Sequence, residues 1–244
     1  MRYLMQIAYN GTNFSGYQRQ PNKRTVQSEL ESALKIVFGE EIVSFASGRT
    51  DAGVHALGQM AHFDSDSVMD FDKLRYSLNS LLPEDVKVVE VTDGGDIHAR
   101  YSAKHKRYMY LFYVSEYENP LLCGRALRLM NDVDLEKMQS ACKLFKGEHD
   151  FKAFSSTGST AKTSTREIFD CSIEFDKNTG LYTFEVEGNG FLYKMVRYMV
   201  GSVIRVGQGK LDLETLKVAL DGGNLPKNVV QPPYALYLKS VNYD

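Results

Sequence analysis

One stretch of the chain concentrates residue types that can do chemistry. It is Ser47-Gly48-Arg49-Thr50-Asp51-Ala52-Gly53-Val54-His55-Ala56-Leu57-Gly58-Gln59. One carboxylate, one guanidinium, a hydroxyl and several glycines lie between two apolar runs, 42–46 and 59–63, that read as strands. A carboxylate close to an arginine is held ionised by the opposite charge. In a partly desolvated loop, Asp51 would then act as a nucleophile or as a base. The glycines permit positive φ or a close backbone approach, and loops held between strands are where catalytic groups tend to sit. On residue types alone, Asp51 reads more readily as a turn residue and Arg49 as a solvated surface charge.

Three other chemistries compete for the same residues. A metal site on Asp51, His55 and His62 would need the Asp-x-x-x-His spacing on one helix face. Gly53 and Gly58 argue against a helix there, so no metal is expected. A glycoside hydrolase needs a second carboxylate about 5–9.5 Å from the first, and Asp64 is the one acid nearby in the sequence. A noncatalytic RNA-binding module would keep the basic segments of the chain but would have no need of Asp51.

The elements that must position this loop follow from periodicity and caps. Residues 1–9 read as a strand, followed by an Asn10-Gly11 turn signal. Thr25 caps a helix to Phe38, with Val26, Leu30, Ala33, Leu34, Val37 and Phe38 on one face. A second helix spans Phe71 to Leu82, with Phe71, Leu74, Leu78 and Leu81 inward and Pro83 ending it. A strand from Val86 to Val91 completes strand-helix-strand-strand-helix-strand, the plan of a ferredoxin-like half. Beyond it, Arg107–Val114 reads as a strand and Asp134 caps a helix to Lys146. A loop covers 149–155, and the Ser/Thr/Gly-rich run 155–164 reads as mobile. Strands follow over Thr165–Phe175 and Leu181–Val186. Leu192, Met195, Val196, Met199, Val200 and Val203 form a helical core stripe, with Arg197 at its edge, about 60° from Val200. Asp212 caps a last helix, and 232–238 closes the chain as a strand.

Composition sets the outer bounds. The 244 residues, 43% hydrophobic and 25% charged, are ordinary for one large or two small globular domains. No apolar run approaches the roughly 18 residues of a membrane span. Arg2, Gln6 and Asn10 interrupt any signal-like start, so a cytoplasmic protein is expected, with no membrane partner. Cys123, Cys142 and Cys171 form no C-x-x-C pair, which predicts neither a disulfide framework nor zinc. A net charge of −2 argues against nucleic acid covering the whole surface and leaves local basic segments. These are Arg19–Arg24, Lys104–Arg107, and Lys162 with Arg166.

The run Gly48-Arg49-Thr50-Asp51-Ala52-Gly53-Val54-His55-Ala56 resembles, without interruption, the active-site signature of the TruA family of tRNA pseudouridine synthases. Other segments follow in the family's order. The stretch from Tyr9 through Gly16-Tyr17-Gln18-Arg19-Gln20 resembles its first motif, with Asn10 in place of Asp and Tyr17 where Trp or Phe is commoner. Gln18 is a substrate-binding candidate there. Lys106-Arg107-Tyr108-Met109-Tyr110 resembles the basic-Tyr-x-Tyr motif, which implies that Tyr108 stacks on the target uracil. Thr165-Arg166 resembles the end of an RNA-touching loop and implies a phosphate contact for Arg166. Phe191 to Gly201 resembles the helix whose arginine pairs with the catalytic aspartate, implying that Arg197 reaches Asp51. Leu236, before Tyr237, would line the base pocket.

The resemblance implies an α+β fold of two ferredoxin-like-related halves, with a continuous antiparallel sheet flanked by helices and an active-site cleft between domains. The boundary would divide 1–103, carrying the Asp51 loop, from 104–244, carrying the Tyr108 strand and the Arg197 helix. It also implies a homodimer acting on tRNA in the anticodon stem-loop (the family's usual sites are tRNA positions 38 to 40). Asp51, Arg49 and Arg197 would be the catalytic residues. The reaction breaks the N1–C1′ bond of uridine, turns the base and rejoins it through C5, so no cofactor is required. Attack at C1′ and attack at C6 both remain open, and Tyr108 is a candidate acceptor for the C5 proton.

Overall fold

The computed structural model describes all residues except 157 and 159–162, so Lys162 and part of the run 155–164 lie outside the described residues. The chain divides into two compact units, Met1–Lys104 with Tyr237–Asp244, and His105–Leu236.

The first unit begins with β1 (Arg2–Tyr9), α1 (Val26–Phe38), β2 (Phe45–Ala46), β3 (His55–Asp64), α2 (Phe71–Leu81) and β4 (Val86–Asp93). Local chemistry sets the helix ends. Thr25 and Ser28 form a reciprocal capping box at the start of α1, and Gly39 ends it at φ 75°. Asp70 accepts the Lys73 amide at the start of α2. Leu74 and Leu78 are buried as expected, but Leu81 is 44% exposed, because in the last turn the neighbouring Leu82 is the residue turned inward. Phe38 from α1 meets both Tyr3 and Phe63 edge-on, and Phe71 from α2 meets Tyr3, while Tyr3 and Phe63 stack at 4.9 Å. Both helices thus pack on the same face of the sheet.

That sheet runs β4-β1-β3, antiparallel throughout. β2 pairs with β3 through Phe45↔His62 and Ala46↔Ala61 only. The strand expected over 42–46 is this short because α1 takes the groups a ladder would use. Glu31 accepts from the Ser44 amide and hydroxyl at 2.9 and 3.1 Å, and Gln27 donates to the Ser44 carbonyl at 3.1 Å.

The second unit holds β5 (His105–Val114), β6 (Leu127–Leu129), α3 (Leu135–Phe145), β7 (Gly147–Asp150), β8 (Thr165–Asp176), β9 (Leu181–Gly188), α4 (Met195–Gly207) and α5 (Leu213–Leu220). Its strands are ordered β6-β5-β9-β8-β7, antiparallel except for β5 with β6. The two short strands β6 and β7 are not visible in the periodicity, and β7 takes in His149 and Asp150, expected as loop. Asp134 and Asp212 cap α3 and α5. The predicted stripe of α4 is buried from Met195 to Val203, while Leu192 is buried ahead of the helix.

The final strand, β10 (Leu236–Asn242), starts later than expected because the two prolines at 232 and 233 offer no amide donors. It pairs in parallel with β3 through Tyr237↔His55 and Leu238↔Ala56. Residues 237–244 therefore belong to the first unit, where the sequence reading kept 104–244 together. Gly58 makes room for this return, since a β-carbon there would lie 2.7 Å from the Lys239 carbonyl oxygen.

Candidate active site

The Asp51 loop leaves β2 at Ser47, whose amide donates to the Met60 carbonyl at 2.7 Å, and rejoins the sheet at His55. The Val54 amide closes a turn on the Asp51 carbonyl at 3.1 Å, with Gly53 at φ 80°. Asp51 is half-buried and Arg49 exposed.

Much of the fixing comes from the segment after β1. The Tyr17 amide donates to the Thr50 carbonyl at 3.1 Å. The Tyr9 and Thr50 hydroxyls lie 2.8 Å apart, and Gln59 donates to the Gly48 carbonyl at 2.8 Å. Burial pushes the Tyr9 hydroxyl up to about 12, the bonds to Thr50 and Gln59 offsetting it in part, so it stays protonated near neutrality. Two glycines sit against the loop. A β-carbon on Gly11 would lie 2.0 Å from the Val54 carbonyl oxygen, and one on Gly16 2.7 Å from that of Thr50. Gly16 also holds φ 93°, which suits glycine alone. Asn10 accepts from the Thr12 amide and hydroxyl at 3.2 and 2.7 Å, a capping role that the aspartate of the family motif fills equally well. Tyr17 is buried and Gln18 exposed.

His55 and His62 are structural. His55 Nδ1 accepts the Gly11 amide at 3.0 Å and its ring stacks on Tyr237 at 4.7 Å. His62 Nδ1 accepts the Ala99 amide at 3.1 Å. Seven residues apart on one strand, the two rings are separated by about 23 Å, too far to share a metal. No cluster of three or more metal-ligating side chains occurs among the described residues. Asp64 ends the same strand, about 30 Å from His55. Its carboxylate takes two hydrogen bonds from Arg2, at 2.8 and 2.9 Å, which hold it below the usual carboxylate range. It is neither near enough nor protonated enough to be the second acid of a glycosidase.

The remaining candidates belong to the second unit. Tyr108, on β5, is half-buried and meets the ring of Phe191 edge-on at 5.1 Å. Arg197, on α4, donates from Nε to the Gln231 carbonyl at 2.6 Å, and the Gln231 amide returns to the Arg197 carbonyl at 3.1 Å. Gly201 lets that segment approach, since a β-carbon there would lie 1.8 Å from the Val229 carbonyl oxygen. Arg166 opens β8, and its guanidinium donates to the Thr163 carbonyl and hydroxyl at 3.0 and 3.3 Å. Burial lowers its pKa, and it forms no ion pair among the described residues. Leu236 is buried at the start of β10.

The basic segments are less available than their composition suggests. Arg24 is held by Asp85 and Glu29, and Arg19 by the buried Glu31. Arg107 and His105 both engage Glu187. Burial raises the carboxyl of Glu187, but the hydrogen bonds from these two residues outweigh it and hold the group low. These arginines neutralise carboxylates in their own fold rather than forming an open phosphate track. Tyr9, Gly11, Gly16 and Gln59 escaped the residue-by-residue reading as supports of the loop. Only their place inside the recognised motifs hinted at them.

The family model of tRNA pseudouridine synthases matches residues 5–102 and 141–244. The chain belongs to the tRNA pseudouridine synthase family. As a member of it, the chain is an isomerase that acts on uridine in tRNA. It is 40% identical to tRNA pseudouridine synthase A of Streptococcus agalactiae serotype III over 248 residues, covering 100% of this chain and 95% of that protein. It is 42% identical to the protein of the same name from Acetivibrio thermocellus over 239 residues, covering 97% of each. The protein of that name from Caldicellulosiruptor saccharolyticus is 39% identical over 242 residues, covering 98% of each.

Proposed function

We propose that Asp51 is the nucleophile of uridine-to-pseudouridine isomerisation in the anticodon stem-loop of tRNA, at the sites of positions 38 to 40. The observation that carries this reading is the bracing of the loop. A half-buried carboxylate follows a residue whose carbonyl and hydroxyl are both held, by Tyr17 and Tyr9. Such preorganisation suits a group that must meet one carbon of a flipped nucleotide.

Asp51 attacks at C1′, displacing N1, or adds at C6 before the N1–C1′ bond breaks; the base then turns, C5 bonds to C1′, and the bond to Asp51 breaks to release its carboxylate. The C5 proton leaves and N1 gains one, so atoms and charge balance with no redox change and no cofactor. Arg49 and Arg197 keep Asp51 ionised and face the RNA backbone. Tyr108 stacks on the uracil, and Leu236 lines the base pocket. Arg166 contacts a phosphate and Gln18 a nearby part of the RNA. The enzyme works as a cytoplasmic homodimer.

The test is tritium release from tRNA carrying [5-³H]uridine. Joining C1′ to C5 expels the C5 hydrogen, so the signal reports the reaction itself. Wild type should release tritium and Asp51→Ala should not, with tRNA binding retained. Release at the wild-type rate from Asp51→Ala would remove Asp51 from the mechanism.

A further inference from the structure

His98, Arg100 and Tyr101 take no part in the loop that carries Asp51, yet they complete a row of rings in the same unit. Phe45 stacks on His62 with centroids 5.2 Å apart and planes 22° apart. His62 meets His98 edge-on at 4.6 Å, and His98 meets Tyr101 at 4.4 Å. The inner rings are locked. His62 is buried and accepts the Ala99 amide, while His98 Nδ1 accepts the Arg100 and Tyr101 amides at 3.2 and 3.3 Å. The outer rings are open, Phe45 at 48% and Tyr101 at 77% exposure. The Arg100 guanidinium lies 5.7 Å from the centroid of Tyr101. Tyr76 is equally exposed but makes no ring contact among the described residues, so it is an isolated surface side chain.

The row lies in the same unit as the Asp51 loop. Phe45 precedes Asp51 by six residues, so the two lie within about 20 Å along even a fully extended chain. Tyr243, in the tail after β10, donates to the Ala99 carbonyl at 2.9 Å and so holds the segment between His98 and Arg100.

We propose that this row is a stacking surface for an unpaired base of the RNA substrate, with Tyr101 the ring that the base covers and Arg100 the cation beside it. Every base has a π-face, and a ring held still by its neighbours loses little freedom when one is laid on it. Arg100, Lys104 and Arg49, all exposed, supply the charge that a polyanion needs along the same unit. Lone exposed tyrosines need no explanation, but a cluster of four rings, in which Phe45 also meets His98 at 5.9 Å and Tyr101 stands open beside a cation, is a built surface. The inference rests on the family's tRNA substrate and is independent of which residue is the nucleophile.

The test measures tRNA binding at fixed salt and tritium release over a range of tRNA concentrations up to saturation, for wild type, Tyr101→Ala, Tyr101→Phe and Tyr76→Ala. Loss of one base–aromatic stack should weaken binding by Tyr101→Ala about 5-fold or more. KM should rise with it and kcat stay unchanged. Tyr101→Phe should bind like wild type, and Tyr76→Ala should be indistinguishable from it. Unchanged binding by Tyr101→Ala would overturn the proposal. So would conversion of Tyr101→Ala from dimer to monomer in sedimentation, which would make the row an interface between copies. A wild-type protein that neither binds tRNA nor releases tritium would overturn the substrate itself, an outcome distinct from both.

Discussion

Replacing Gly16 by alanine presses on the Asp51 loop from behind. Two costs are separable. At φ 93° an alanine carries the strain of the left-handed region, about 1–2 kcal/mol. Its β-carbon would also stand 2.7 Å from the Thr50 carbonyl oxygen, 3.3 Å from the Ala52 amide nitrogen and 3.4 Å from the Asp51 carbonyl carbon. Backbone atoms cannot swing aside as a side-chain tip can, and overpacking of this kind costs about 1–3 kcal/mol more. The sum is about 2–5 kcal/mol unless the loop retreats, and retreat by several tenths of an ångström displaces Asp51 with it. Misplacement on the scale of 1 Å costs on the order of 100-fold in rate, so Gly16→Ala should lose about 10- to 100-fold in tritium release at saturating tRNA. Gly39→Ala separates the two costs. Gly39 has φ 75° but nothing within 4 Å of a β-carbon, so only the strain applies. It should destabilise the fold by about 1–2 kcal/mol and leave the rate alone. The measurement is paired: urea unfolding, and tritium release at a temperature where circular dichroism shows every variant folded. A wild-type rate for Gly16→Ala, or an equal loss in Gly39→Ala, would refute the idea that this glycine positions the loop.

Three further outcomes follow from the same geometry. Thr50→Val removes the hydroxyl 2.8 Å from the buried Tyr9 hydroxyl and should cost about 1–3 kcal/mol in urea unfolding, while Thr50→Ser should retain wild-type stability. Glu31→Ala strips the acceptor from Gln27, the Ser44 amide and the Ser44 hydroxyl, and should destabilise by about 1.5–3 kcal/mol with a loss of amide protection at Ser44. His62 is held below its ordinary imidazole range, first by burial and then by Arg2 and His98. The unfolded chain therefore binds a proton that the folded chain refuses. Its contribution to stability is complete above about pH 6.5 and is lost as pH falls through the folded value. Thermal melts over that interval should show the slope in wild type and a flatter one in His62→Gln, and equal slopes would contradict the assignment.

The features legible in the residues alone are local or carried by motifs. Thr25, Asp134 and Asp212 start helices where they were expected, because a cap is a bond between residues three apart. The core stripe of α4 follows from a period that needs no partner. The uninterrupted run from Gly48 to Ala56, with its companion motifs, was enough to indicate the family and to single out Asp51. The tertiary structure decided the rest, through pairs far apart in the chain. Arg24 meets Asp85 across 61 residues and Arg107 meets Glu187 across 80, so two of the basic segments contain arginines already committed to carboxylates. Spacing cannot foresee such a partner. Gly11 and Gly16 read as turn glycines, and only the fold shows them pressed against Val54 and Thr50. The last strand belongs to the first unit because β3 has an edge that β2 leaves open beyond Ala46, and β10 pairs there with His55 and Ala56. Unpaired backbone groups along a strand seek partners wherever the chain can supply them. That supply is a property of the folded molecule, not of any window of its sequence.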